Sequence, residues 1–98
     1  MTLPIEYAVD VREDVDSAYA WYEEQQIGLG ERFLLAIADV VSKIQAHPRH
    51  FGRVRGDVRA GLARDFPYVI YYRLEETRIV IIAVLHGRRD PQEWMKRI

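Results

Sequence analysis

Two apolar runs near the end of the chain, Tyr68-Val69-Ile70-Tyr71-Tyr72-Arg73-Leu74 and Arg78-Ile79-Val80-Ile81-Ile82-Ala83-Val84-Leu85-His86, constrain the fold more than any other feature. Neither approaches the roughly 20 apolar residues needed to cross a bilayer. Both are dominated by β-branched and aromatic side chains and read as a hairpin around Glu75-Glu76-Thr77, although that turn lacks the glycine a three-residue loop prefers. Strands apolar on both faces belong inside a sheet. The second run empties into His86-Gly87-Arg88-Arg89-Asp90-Pro91, and an imidazole, two guanidiniums and a carboxylate cannot be buried unpaired. Recognition or chemistry is therefore expected at that strand end.

The other elements follow from periodicity. Leu3, Ile5, Tyr7 and Val9 alternate with Pro4, Glu6 and Ala8, a strand period with Pro4 suited to its start or edge. Asp10 followed by Glu13 gives a capping-box-like helix start, and Val11, Val15, Ala18 and Tyr22 form one apolar stripe at helical spacing. Gly28 and Gly30 are expected to end this helix and turn the chain. A second helix runs from about Glu31 with Phe33, Ile37, Val40 and Ile44 on one face, widened by Leu34 and Val41. It stops near Ala46, because Pro48 disfavours helical geometry at His47. The mixed stretch 51–63 reads as an interrupted strand or a strand pair, and Gln92 to Arg97 as a short helix with Trp94 and Met95 facing inward. The expected fold class is α+β, in the order β-α-α-β-β-β-α, with a helical hairpin on one face of a small, mainly antiparallel sheet.

A length of 98 residues predicts one domain over 1–98, with no room for a separate catalytic unit. The absence of cysteine, and three histidines without a His-x-x-x-His spacing, give no disulfide, no metal signature and no implied cofactor. The first ten residues have neither a basic segment nor an apolar one of the secretory kind, which predicts a cytoplasmic protein without a membrane partner. The net charge of −1 hides a division. Residues 1–46 hold three Lys or Arg against nine Asp or Glu (−6), and residues 47–98 hold eleven against six (+5). Ten of those eleven are arginine, whose planar fork favours bidentate phosphate or carboxylate contacts. The opposing account is that acidic helices and basic strands neutralise one another across the fold.

Among the residues able to carry chemistry, His86 lies two positions from Arg88, and a neighbouring cation lowers an imidazole's pKa. The competing role is a strand-end histidine that caps backbone or pairs with Asp90. His47 and His50 flank a helix stop and a proline and read as loop residues. Arg59, Arg88 and Arg89 are the phosphate-contact candidates, expected to converge on one side of the sheet close to His86; the competing role is a solvated rim with a salt bridge to Asp90. Tyr68, Tyr71 and Tyr72 offer stacking surfaces, but alternation places Tyr68 and Tyr72 on the face opposite Tyr71, so core positions are favoured. Trp21 is either packing or a partner contact.

The segments Phe66-Pro67-Tyr68-Val69-Ile70-Tyr71-Tyr72 and Val84-Leu85-His86-Gly87-Arg88-Arg89-Asp90-Pro91 resemble the C-terminal half of the RelE/ParE superfamily, the small bacterial toxins of type II toxin-antitoxin systems, also labelled plasmid stabilisation proteins. Tyr22 to Phe33, Pro48, Val58 and Arg59 also look like family landmarks, so the resemblance spans nearly the whole chain. It implies growth arrest and a cognate antitoxin whose C-terminal segment, disordered alone, wraps the toxin as helix or strand. A toxin-antitoxin hetero-oligomer or a homo-oligomer is the implied assembly.

The resemblance leaves the target open between two classes. A ParE-like member poisons DNA gyrase without chemistry of its own, and this is the favoured reading. A RelE-like member is a metal-independent endoribonuclease acting on mRNA at the ribosome, and an inactivated member would only bind antitoxin. Matching arginines carry Arg59 and Arg88 over from the RNA-cleaving members, giving His86, Arg59 and Arg88 as the catalytic set if the chain is a nuclease. Those members commonly add paired lysines or a glutamate, and a terminal tyrosine. Here Lys43 and Lys96 are the only lysines and Trp94 stands about where the tyrosine would; an indole is no general acid or base. For binding, the implied set is Arg59, Arg88, Arg89, Asp90 and Trp94.

Overall fold

The computed structural model describes residues 2–98. In chain order the elements are β1 (Ile5–Tyr7), α1 (Val11–Gln25), α2 (Leu29–Ala46), β2 (Arg53–Arg55), β3 (Val58–Leu62), β4 (Tyr68–Leu74), β5 (Ile79–His86) and α3 (Gln92–Met95). The α+β class and the helical hairpin are as the sequence predicts, and the 51–63 stretch resolves into the strand pair, making five strands in the order β1-β5-β4-β3-β2. All neighbours are antiparallel except β1 and β5, which run parallel in the register Ile5 to Ile79 and Tyr7 to Ile81. A parallel pair needs a crossover, and here the helical hairpin and the other strands lie between its two members.

Burial explains the layers. Phe33, Ile37, Val40 and Ile44 from α2 and Val11, Ala18 and Tyr22 from α1 meet Ile70, Tyr72, Ile79, Ile81 and Val84 of the sheet. The opposite face holds a smaller cluster of Val58, Ile82, Ala83 and Leu85, covered by Trp94 of α3, with Tyr71 and Met95 against it. Each fully buried side chain of the size of Phe33 or Ile44 contributes about 1.5–3 kcal/mol. Tyr68 and Tyr72 therefore belong to the helix-side face and Tyr71 to the other, as alternation requires.

Three local readings need correction. Asp10 precedes α1, but its side chain caps nothing; Glu13 accepts from Ser17 Oγ instead (2.9 Å), so no capping box forms. The second helix starts at Leu29, before Glu31, because Gly28 alone makes the turn at φ +90°, a left-handed conformation open to glycine. Gly30 is already inside α2, where a Cβ would stand 2.8 Å from the Tyr19 ring and 2.9 Å from Glu23 Oε1. That closeness lets the Glu23 carboxylate of α1 accept from the Gly28 and Gly30 amides at 3.0 Å each, supplying from a neighbouring helix the cap that α2 lacks. The β4–β5 turn needs no glycine because none of its residues takes a positive φ; the Glu75 amide closes it on the Arg78 carbonyl (2.9 Å), and the Arg78 side chain donates to Glu75 (2.7 Å) and to Glu6 of β1 (2.9 Å).

Tyr72 links the sheet to the end of α2. Its ring is fully buried and its hydroxyl donates to the Pro48 carbonyl. Burial pushes the phenol up to about 12, against a small opposing pull from Arg59. Between pH 10 and about 12 the unfolded chain releases this proton while the folded chain keeps it, so stability is complete below pH 10 and falls as pH rises through that window. Tyr72→Phe should lose about 1 kcal/mol at neutral pH with the hydrogen bond. In alkaline denaturant titrations the unaltered protein should then lose stability more steeply than Tyr72→Phe; parallel curves would contradict this account.

Candidate functional site

The strand end forms one wall of a groove of about 590 Å³ lined by Trp21, Tyr22, Pro67, Tyr68, His86, Arg88 and Arg89. Each residue arrives for a local reason. His86 is the last residue of β5 and lies opposite Tyr68, the first of β4, and the two rings meet edge to face at 5.5 Å. Trp21 sits on the solvent side of the apolar stripe of α1, 56% exposed, and packs edge-on against Tyr22 at 5.1 Å. Tyr22, Phe33, Phe66 and Tyr68 form an aromatic cluster beneath, with centroids 4.9–6.1 Å apart. The floor is thus rigid and apolar, and the rim is cationic.

The turn after β5 is shaped by hydrogen bonds. Gly87 donates to the Pro67 carbonyl (2.7 Å) and Arg89 to the His86 carbonyl (2.9 Å). The Arg88 amide donates to His86 Nδ1 (3.0 Å), which requires the lone pair on Nδ1 and leaves the proton of the neutral imidazole on Nε2. Asp90 does not pair with His86; its Oδ1 accepts from the Gln92 amide (3.0 Å) and its carbonyl from Glu93 (2.9 Å), opening α3. Arg89 has a loose, exposed partner in Glu93 at 3.7 Å, a contact worth little in water. Among the described residues the Arg88 guanidinium has no carboxylate within ion-pair distance. Burial raises the Tyr68 phenol, opposed by the nearby Arg89 cation, and burial followed by the Tyr68 hydroxyl raises that of Tyr22. Both hydroxyls are protonated at neutral pH.

Arg59 is the clear departure from expectation. It pairs with Tyr72 across β3 and β4, whereas His86 pairs with Tyr68 across β4 and β5. The two are separated by about 13 Å along β4 and about 10 Å across it, at opposite ends of the sheet. Arg59 Nη1 is also held by the carbonyls of Phe51 (2.7 Å) and Arg49 (3.3 Å). Its groove neighbours are Arg49, Arg53, Asp57, Leu74, Glu75 and Glu76. The expected convergence of Arg59, Arg88, Arg89 and His86 is therefore limited to the last three, and the set His86, Arg59 and Arg88 does not assemble. Trp94 is likewise distant from any free surface: it is 5% exposed and stacks on Tyr71 at 4.7 Å and 18°, so its role is to fasten α3.

Trp21, Tyr22 and Tyr68 are members of the groove that the strand-end motif alone does not indicate. The exposed indole outside the α1 stripe was the available signal. Among the described residues no group of three or more His, Asp or Glu side chains is placed to hold a metal ion, and no helix is long and apolar enough to cross a membrane.

Comparison with known proteins agrees with this architecture. A solved structure described as "Chromosomal ParDE TA system from P. aeruginosa" contains a chain that is similar at a TM-score of 0.65 and 20% identity, over 87% of this chain and 96% of that one. No curated protein sequence matches. The model of the family described as "ParE toxin of type II toxin-antitoxin system, parDE" matches residues 5–91, from the first residue of β1 to the end of the basic turn. With that match over most of its length, the chain belongs to the ParE toxin family.

Proposed function

We propose that this toxin arrests growth by binding DNA gyrase through the basic strand end, without chemistry of its own, and that a cognate antitoxin neutralises it. The observation that carries this reading is the state of the one imidazole in the cluster. With Nδ1 accepting the Arg88 amide, the neutral ring offers a donor at Nε2 and no free lone pair, so it cannot take a proton from a ribose hydroxyl. Arg59 sits too far away to stabilise charge beside it. What the strand end does offer is an exposed guanidinium without a carboxylate partner, a second with a loose one, and an aromatic floor next to them. These features suit an acidic polypeptide surface carrying a bulky apolar side chain. A cytoplasmic site of action belongs to the same proposal.

Expression of the chain alone should stop bacterial growth, and co-expression with the product of the adjacent gene should restore it. Purified protein should inhibit gyrase supercoiling or trap cleaved DNA. Arg88→Ala should weaken that inhibition about 10-fold or more, the scale for an arginine central to an interface, whereas His86→Ala should leave growth arrest largely intact. Codon-periodic mRNA cuts on translating ribosomes that disappear in His86→Ala would replace this reading with the nuclease one.

The imidazole can be examined directly. In ¹⁵N spectra of the neutral ring, His86 should show the Nε2–H tautomer, with Nδ1 carrying the lone-pair signature. A predominant Nδ1–H form would remove the argument against proton transfer.

A further inference from the structure

The basic turn has little of its own to hold it. Its backbone is tied to the strands by three contacts, from Gly87 to Pro67, from Arg88 to His86 Nδ1 and from Arg89 to the His86 carbonyl, and its remaining backbone bonds run into α3. The helix that follows, α3, is four residues long, far too short to persist unaided. The restraint lies at its far end. Arg97 Nη1 and Nη2 donate to Asp14 Oδ2 and Oδ1 at 2.7 and 2.9 Å, and Nη1 also to the Ile82 carbonyl at 3.2 Å. Asp10 stands 3.9 Å away on the same side. Asp14 Oδ2 further accepts the Val84 amide at 3.0 Å. The pair is nearly enclosed, with side chains 18% and 7% exposed for Arg97 and Asp14.

Two of these contacts fall where β5 has no strand beside it. β1 pairs only with Ile79 to Ile81, so the Ile82 carbonyl and Val84 amide would face an empty edge without the two side chains. The ion pair thus stands in for a missing strand residue and ties the end of the chain to α1. Removing either member leaves the other charge enclosed and uncompensated.

We propose that the Asp14–Arg97 clasp is a positioning element that holds residues 87–91 in the geometry with which the basic turn meets a partner, so that binding depends on a pair lying behind the contact surface. With the clasp open, the packing of Trp94 and Met95 against the smaller core and the Gly87–Pro67 hydrogen bond are what still restrain residues 87–98, and apparent affinity falls by the fraction of time the turn spends in its folded form. The affinity part rests on the proposed role of the strand end; the conformational part does not.

Arg97→Met keeps the aliphatic stem and removes the fork, and Arg97→Lys keeps the charge without the fork. In limited trypsinolysis, Arg97→Met should be cut after Arg88 or Arg89 about 10-fold faster than the unaltered protein, with cutting after Arg53 and Arg64, which lie away from the clasp, unchanged. Arg97→Lys should fall between. Gyrase inhibition by Arg97→Met should weaken about 10-fold if the open strap is competent a tenth of the time. Turn cleavage within about 2-fold of the unaltered rate, or an equal rise at every site, would overturn the clasp. Faster cutting with no gyrase inhibition by either protein would keep it and remove the gyrase reading. Should Arg97→Met fail to fold, amide exchange in the unaltered protein decides. The Val84, Gly87 and Glu93 amides should open together, and exchange at Gly87 and Glu93 about 100-fold faster than at Val84 would show the turn moving independently of the clasp.

Discussion

Everything in this molecule hangs on β5 being buried on both faces. Ile79, Ile81 and Val84 enter the helix-side core while Ile82, Ala83 and Leu85 enter the smaller one behind. A register irregularity between Tyr71 and Tyr72 of β4 sets one extra β5 residue, Ile82, between the partners Ile81 and Ala83. That bulge breaks the alternation, so the neighbours Ile82 and Ala83 both enter the smaller core before Val84 returns to the helix side. With both faces committed, the strand can neither slip nor tilt. Its last residue, His86, is delivered at a fixed height beside Tyr68, and the polar turn begins where the apolar run ends. The position of this candidate surface is a consequence of hydrophobic register more than of any contact within the surface itself.

The same residue type does unlike work in different parts of the sheet. Arg59 donates to the carbonyls of Arg49 and Phe51 and braces the loop that follows α2. Arg78 closes a turn between two glutamates, and Arg97 replaces a strand neighbour. Arg88 is the contrasting case, with its charge left uncommitted. Four of the eleven cationic side chains of the second half, Arg59, Arg73, Arg78 and Arg97, are thus held by carbonyls or carboxylates of the fold, while Arg88 and the loosely paired Arg89 stand beside the aromatic groove. This also settles how the two opposite halves relate: Asp14 of α1 meets Arg97, and Glu6 of β1 meets Arg78, so part of the imbalance cancels across the fold.

The helices, the hairpin and both faces of β4 were legible because their periods are long and uninterrupted, and the apolar stripes through Phe33, Ile37, Val40 and Ile44 admit one packing. The family was legible in the words around Tyr68 and His86. What the sequence did not reveal depends on pairing. The separation of Arg59 from His86 follows from which residues of β4 each strand opposes, and nothing local to Val58-Arg59-Ala60 records that. The capping of α2 by Glu23 escaped for the same reason, since the acceptor is on another helix. Trp94 entered the binding set through its place in the family pattern, whereas the helical spacing had it facing inward, and the ring indeed stacks on Tyr71 behind the sheet.

The two tryptophans divide the optical properties of the chain between its two faces. Trp21 is on the groove rim, in contact with water, and Trp94 is sealed against Tyr71 behind the sheet. That exposure predicts red-shifted emission open to soluble quenchers from the first and shielded emission from the second. Occupancy of the groove and loosening of α3 therefore report at different wavelengths and with different quencher access, so the unlabelled protein distinguishes the capture of a ligand from the release of its own terminus.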